Sequence, residues 1–138
     1  MTDDERTLAE LDIRNLICRL AHLADGDDLD EYVAQFTEDA VWDYAKFGTR
    51  TGREEIRAGA AQRRVDGVQG PGSGLRHIIT THWVRVDDAD HAVSQAYWIT
   101  VKATSPPATE NTGRYDDSLR RTADGWKLAR RTIVTDVN

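Results

Sequence analysis

Two side chains in this sequence could move protons near neutral pH if the fold brought them together: the carboxylate of Asp25 and the imidazole of His77. Asp25 ends the run Leu20-Ala21-His22-Leu23-Ala24-Asp25-Gly26-Asp27-Asp28, at the edge of an apolar helical repeat. An acid there meets the negative end of the helix macrodipole and adjoins a face that should be buried. Something other than helix stability selects it. A histidine held by a carboxylate has a fixed tautomer and an unperturbed pKa of about 6.5, which suits elimination or isomerisation beside a carbonyl or leaving group. Each residue also has an ordinary reading. Asp25 could be a solvated member of the cluster with Asp27 and Asp28, and His77 a strand histidine satisfied by a backbone carbonyl. The residues alone leave both readings open.

The other histidines carry less. His22 lies one turn before Asp25 and reads as a packing or surface residue. His82 is five residues from His77 on the same predicted strand, hence on the opposite face, and His91 opens a strand after an acidic turn. No HxH, HxxxH or HExxH spacing occurs, so no metal is expected. No nucleophile elbow and no strand-to-helix glycine motif is present, and cofactor-independent chemistry is the consistent choice.

Elements to position these groups follow from periodicity. Ile13, Leu16, Ile17, Leu20, Leu23 and Ala24 form one apolar stripe, predicting a helix from about Thr7 to Ala24 behind a frayed residue 1–6 lead-in. Gly26 is expected to end it in a left-handed conformation. A second helix is predicted over Leu29–Phe36 with Asp28 as N-cap, then a strand over Ala40–Ala45, with Gly48 and Gly52 bracketing a turn. Thr51 is placed to cap a third helix over Arg53–Arg64, whose apolar face is Ile56, Ala60 and Ala61. The four-glycine stretch Gly67–Gly74 reads as a rim or lid loop. Strands are predicted over Leu75–Val86, His91–Ala103, Thr109–Thr122 and Trp126–Val134. If His77 points inward, parity also sends in Ile79, Thr81 and Trp83, then Ala96, Trp98 and Thr100, then Tyr115, Asp117 and Leu119. A bulge would shift such an assignment by one. The arrangement is α+β.

With 138 residues, 39% hydrophobic and 30% charged, the chain is expected to be one domain, 1–138, with a real core. A net charge of −6 and scattered arginine pairs argue against nucleic acid or an anionic membrane surface as partner. The lone Cys18 excludes a disulfide framework and reads as an inert, partly buried residue. Met1–Glu5 is acidic with no apolar run behind it, so a cytoplasmic location is expected.

The helix ending Asp-Gly-Asp-Asp, then Phe36-Thr37-Glu38-Asp39-Ala40-Val41, Gly52-Arg53-Glu54-Glu55-Ile56, Arg76-His77 opening a strand, and Gly125-Trp126-Lys127-Leu128 together resemble the SnoaL-like branch of the nuclear transport factor 2-like superfamily. That branch includes polyketide cyclases, scytalone dehydratase, bile-acid dehydratase and a dehydrochlorinase. The resemblance runs from about Leu11 to Val134. It implies a cystatin-like α+β cone, with three N-terminal helices on a strongly curved, mostly antiparallel sheet enclosing a pocket. It also implies that Asp25 and His77 match the dehydratases' carboxylate–histidine pair. Arg121 is the nearest match to an arginine contributed by the last hairpin of the dehydrochlorinase, and Arg131 is a family-typical arginine. Leu20 stands where several dehydratases have a tyrosine, and Thr100 where the bile-acid enzyme has a second acid.

The expected site is therefore Asp25, His77 and Arg121, with Leu20, Trp42, Tyr44, Ile79, Trp98, Thr100, Tyr115 and Arg131 around the ligand. The aromatics among them suit a small apolar or cyclic organic molecule. The expected function is that of a dehydratase- or cyclase-like lyase or isomerase without cofactor or metal. The alternative is a protein that binds such a ligand without turning it over. A homodimer through the outer sheet face is compatible with both.

Overall fold

The computed structural model describes residues 1–135. In chain order it runs α1 (Asp3–Asp25), α2 (Leu29–Ala34), β1 (Phe36–Tyr44), β2 (Gly48–Thr51), α3 (Gly52–Val65), β3 (Leu75–Val86), β4 (His91–Lys102), β5 (Ala108–Thr122) and β6 (Gly125–Thr135). The strands form one six-stranded sheet in the order β2-β1-β6-β5-β4-β3. All neighbours are antiparallel except β1 and β6, which run parallel.

α1 carries the predicted stripe, with Ile13, Leu16, Ile17, Leu20, Leu23 and Ala24 buried. It starts earlier than expected. Thr2 Oγ1 accepts from the Glu5 amide and the Glu5 carboxylate accepts from the Thr2 amide, so a capping box makes residues 3–6 helical rather than frayed. Cys18 is exposed, on the far side of the stripe. At the other end Gly26 is extended (φ −94°), not left-handed, so the expected glycine cap does not form. The end is closed by Arg64 of α3 instead, which donates to the carbonyls of Leu23, Ala24 and Gly26 at 2.9–3.2 Å. A cation on the orphan carbonyls satisfies them and complements the dipole. That contact also makes the C-terminal position of Asp25 tolerable. Gly70 lies against Arg64 so closely that a Cβ there would sit 2.8 Å from its side chain.

α2 is shorter than predicted. Asp28 caps it as expected, accepting from the Glu31 amide, but Phe36 opens β1. The Leu128 amide donates to the Gln35 carbonyl, and Phe36 pairs with Leu128 across the sheet. A long-range ladder takes the residue that local periodicity assigned to the helix. Gly48–Thr51 is a short strand rather than a turn, and Thr51 makes no side-chain cap for α3. The buried face of α3 is Ile56, Gly59, Ala60 and Arg63, which replaces the expected Ala61 with a charged residue.

A bulge in β3 overturns one parity assignment. Thr80 pairs with Tyr97 but Trp83 pairs with Gln95, so one extra residue is accommodated, and Thr81 takes a positive φ of 50°. Beyond it Thr81 and Trp83 face solvent rather than the interior, Trp83 at 43% exposure. His82 turns inward, where its Nε2 is sealed without a hydrogen-bond partner among the described residues.

Burial, with the charges of Arg14 and Arg131, pushes the His82 imidazole down to about 4. An unfolded chain would take up that proton near pH 6.5, so folding is favoured above that value and loses ground as pH falls from about 6.5 to about 4. The effect is on the order of 1–2 kcal/mol once solvent screening of a half-buried ring is allowed for. Urea unfolding at pH 7 and pH 4.5 should show a smaller loss in His82→Gln than in the parent. An equal loss in both proteins removes His82 from the account.

Candidate active site

Asp25 is the last residue of α1 and His77 the third of β3, so the pair is brought together where helix end meets strand start. Asp25 Oδ1 lies 2.7 Å from His77 Nδ1. The same carboxylate accepts the His77 backbone amide, at 3.2 Å to Oδ1 and 3.1 Å to Oδ2. It therefore grips both the ring and the main chain that carries it. With Nδ1 engaged as a donor, Nε2 is left as the basic nitrogen. Nε2 has no protein partner among the described residues. The two side chains are only 16% and 22% exposed, which shields their contact from bulk water.

His77 opens on a cavity of about 420 Å³ between the helices and the concave face of the sheet. Leu20, Trp42, Tyr44, Trp98, Thr100, Tyr115 and Arg131 line it, each at a position expected from the sequence. Thr100 is the direct cross-strand neighbour of His77. Asp25 stands behind His77 and is not itself part of the lining. Gly67, Val68, Gln69 and Ser73 of the glycine-rich loop form part of the wall.

Two expected residues lie elsewhere. Ile79 is half-buried against the hydrophobic core and does not reach the cavity. Arg121 is exposed near the β5–β6 turn, opposite Trp126, with its amide bonded to the Asp90 carbonyl. Of the two arginines expected at the site, the one that the fold brings to the cavity is Arg131, ten residues later. His22 is exposed on α1.

The aromatic lining is held by contacts between rings. Trp98 stacks on Tyr115 with centroids 5.9 Å apart, and Tyr44 meets Trp98 edge-on at 6.5 Å. Trp98 lies directly over Gly113, where a Cβ would sit 2.7 Å from its ring and 2.1 Å from the Val134 carbonyl oxygen. Only glycine fits there. Burial pushes the Tyr115 and Tyr44 hydroxyls above their usual range, so both stay protonated donors.

Arg131 lies under Tyr115, its guanidinium carbon 3.7 Å from the ring centroid. Its Nε and Nη2 donate to the two Asp117 oxygens at 2.9 and 2.8 Å. Burial works against both charges. It pushes the Asp117 carboxyl up despite the guanidinium, whereas at Arg131 burial is outweighed by the Asp117 charge and hydrogen bonds together with Tyr115 and Tyr32, and the guanidinium is raised. The bidentate geometry is that of carboxylate with guanidinium, and we take the pair as ionic.

Sequence reasoning did not single out Tyr32, Phe47, Arg63 or Gln69, all of which also line the cavity. A signal existed for Arg63. It follows Ile56 and Ala60 at helical spacing and shares their face, but an arginine beside a second arginine reads as a solvated pair. Among the described residues no cluster of three potential metal ligands occurs, and no helix is long and apolar enough to cross a membrane.

The SnoaL-like domain matches residues 5–132 of the chain. No curated protein matches the sequence. Among solved structures, an NTF2-like protein with a cystatin-like fold from Novosphingobium aromaticivorans is 25% identical with a TM-score of 0.83, over 96% of this chain and 86% of that one. Aln2 from a Streptomyces species is 27% identical with a TM-score of 0.76, over 91% and 89%. A scytalone dehydratase-like protein from Novosphingobium aromaticivorans, at 19% identity and a TM-score of 0.79 over 99% and 89%, shares the fold.

Proposed function

The chain belongs to the SnoaL-like family, and from that membership and its Asp25–His77 pair we propose a lyase or isomerase of the dehydratase or cyclase type, acting on a small, largely apolar cyclic substrate. The observation that supports this best is the 2.7 Å contact between Asp25 and a histidine that opens on an aromatic cavity. Asp25 holds the Nδ1 proton, and His77 Nε2 removes a proton from the carbon beside a carbonyl. The C–H electrons form the new double bond. In a dehydration the hydroxyl on the next carbon then leaves, taking the proton back from Nε2 as water. No cofactor is needed for that balance of atoms. Asp25 lowers the cost of the imidazolium that forms in between. The stacked Trp98 and Tyr115 would hold a flat ring, and the protonated hydroxyls of Tyr44 and Tyr115 would offer hydrogen bonds to its oxygens.

The test is a panel of cyclic β-hydroxyketones, followed by the absorbance of the conjugated enone. Turnover by the parent protein and none by His77→Gln is the expected result. A second reading, ligand binding without turnover, is favoured by Leu20 and Thr100, which put non-ionisable groups where dehydratases of the family carry a tyrosine or an acid. Tight binding of panel members with no enone formed would establish that reading instead.

We further propose a homodimer through the outer sheet face, where Ile78, Trp83 and Tyr97 are 38%, 43% and 52% exposed. Light scattering at micromolar concentration should give the mass of two chains. A one-chain mass rules the dimer out.

A further inference from the structure

The cavity holds two buried arginines, and among the described residues only one of them has a carboxylate. Arg131 is neutralised by Asp117. Arg63 is just as buried, 6% exposed, yet no ion pair among the described residues includes it. Its Nε donates to the neutral Gln69 amide oxygen at 2.6 Å. Its guanidinium carbon lies 4.4 Å from the Trp42 ring centroid and 5.8 Å from that of Phe47. Those contacts orient the group without cancelling its charge. Its terminal nitrogens make no hydrogen bond with the described residues and are not sealed from the cavity.

A second cation adds to the same spot. Arg50 of β2 reaches the Gly59 slot, where a Cβ would lie 3.0 Å from its Nε and 3.3 Å from Arg63 Nη1. The Arg50 Nε is itself buried without a partner among the described residues. Two guanidinium groups thus lie close together, Arg63 in the lining and Arg50 behind it, and among the described residues the one carboxylate in the lining, Glu110, is exposed. A buried unpaired charge is costly to retain unless something neutralises it.

We propose that Arg63 is the binding site for an anionic oxygen group of the ligand, so that the cavity takes cyclic molecules bearing a carboxylate or an equally delocalised oxyanion. The planar fork of Arg63, fixed by Gln69 and backed by Trp42, matches such a group. The proposal rests on the cavity being the ligand site of the function proposed above, but not on the Asp25–His77 chemistry.

Calorimetric titration with 1-naphthoate and with its neutral analogue 1-naphthamide separates the two. The parent protein should bind naphthoate at least about tenfold more tightly, the scale of hydrogen bonds to a charged group. Arg63→Gln should abolish that preference, weakening naphthoate at least about tenfold more than naphthamide, while His77→Gln should keep the preference whether or not it abolishes turnover. The parent's ratio needs no variant, so it stands even if Arg63→Gln fails to fold. Equal affinities in the parent, no naphthoate binding, or a preference that survives Arg63→Gln each overturn the proposal. Turnover of neutral ketones with no naphthoate preference would overturn it while leaving the catalytic reading intact.

Discussion

Asp25→Asn should lower turnover of any substrate found by about 10²–10⁴-fold, the usual range for a positioned acid or base. The substitution keeps the shape of the side chain and the acceptor oxygen for the His77 amide. It removes the charge opposite Nδ1, and an amide NH₂ turned toward the ring would favour the tautomer with its proton on Nε2. His77→Gln should cost a similar factor. The double variant should lose little more than either single one, because groups that act as a unit are not additive. Losses that multiply independently would refute a dyad. Ligand affinity and the urea midpoint should change little in both single variants, which separates a chemical defect from a folding one.

Arg131→Met should give the largest loss of stability, about 3–5 kcal/mol, because it leaves the Asp117 carboxylate buried without its counter-ion. Asp117 has a side chain with no exposure, so water cannot replace the guanidinium. Replacing both residues, as Asp117→Leu with Arg131→Met, should recover most of the loss, since a well-packed apolar pair of similar volume is often neutral or better. The pH dependence of the single variant has a definite sign. Burial already raises the Asp117 carboxyl, and without Arg131 it would rise further above the unfolded value. A raised carboxyl favours folding at low pH, so the deficit of Arg131→Met should shrink as pH falls. Urea unfolding of the parent and the two variants at pH 7 and pH 5 measures both effects. A double variant as unstable as the single one would show that Arg131 matters through its packing on Tyr115 instead.

Much of the architecture was legible in the chain because it is written locally. The stripe of α1, the capping Asp28, and the limits of β3 to β6 follow from periodicity and turn residues within a few positions of each other. The Asp25–His77 contact was also within reach, although only through resemblance: an acid misplaced on a helix end asks for a partner without saying which one. Six of the expected lining residues, Trp42, Tyr44, Trp98, Thr100, Tyr115 and Arg131, alternate correctly because β1, β4, β5 and β6 keep their parity through the cavity.

What the sequence could not decide depends on partners far away in the chain. The bulge at Thr81 arises from how β3 pairs with β4, and it turns His82 in and Trp83 out against simple alternation. Phe36 leaves the helix because β6 offers it a ladder. The C-terminal carbonyls of α1 are satisfied by Arg64, some forty residues on, so the expected glycine cap was unnecessary. Charge was the hardest feature to place. Arg121, Arg131, Arg63 and Arg64 look alike in sequence, and the fold makes one an exposed residue near the end of β5, one a buried ion pair, one a cation in the cavity without a carboxylate among the described residues and one a helix cap. An arginine's side chain is the same in each place; its role is set by the dielectric and the acceptors that tertiary packing puts around it.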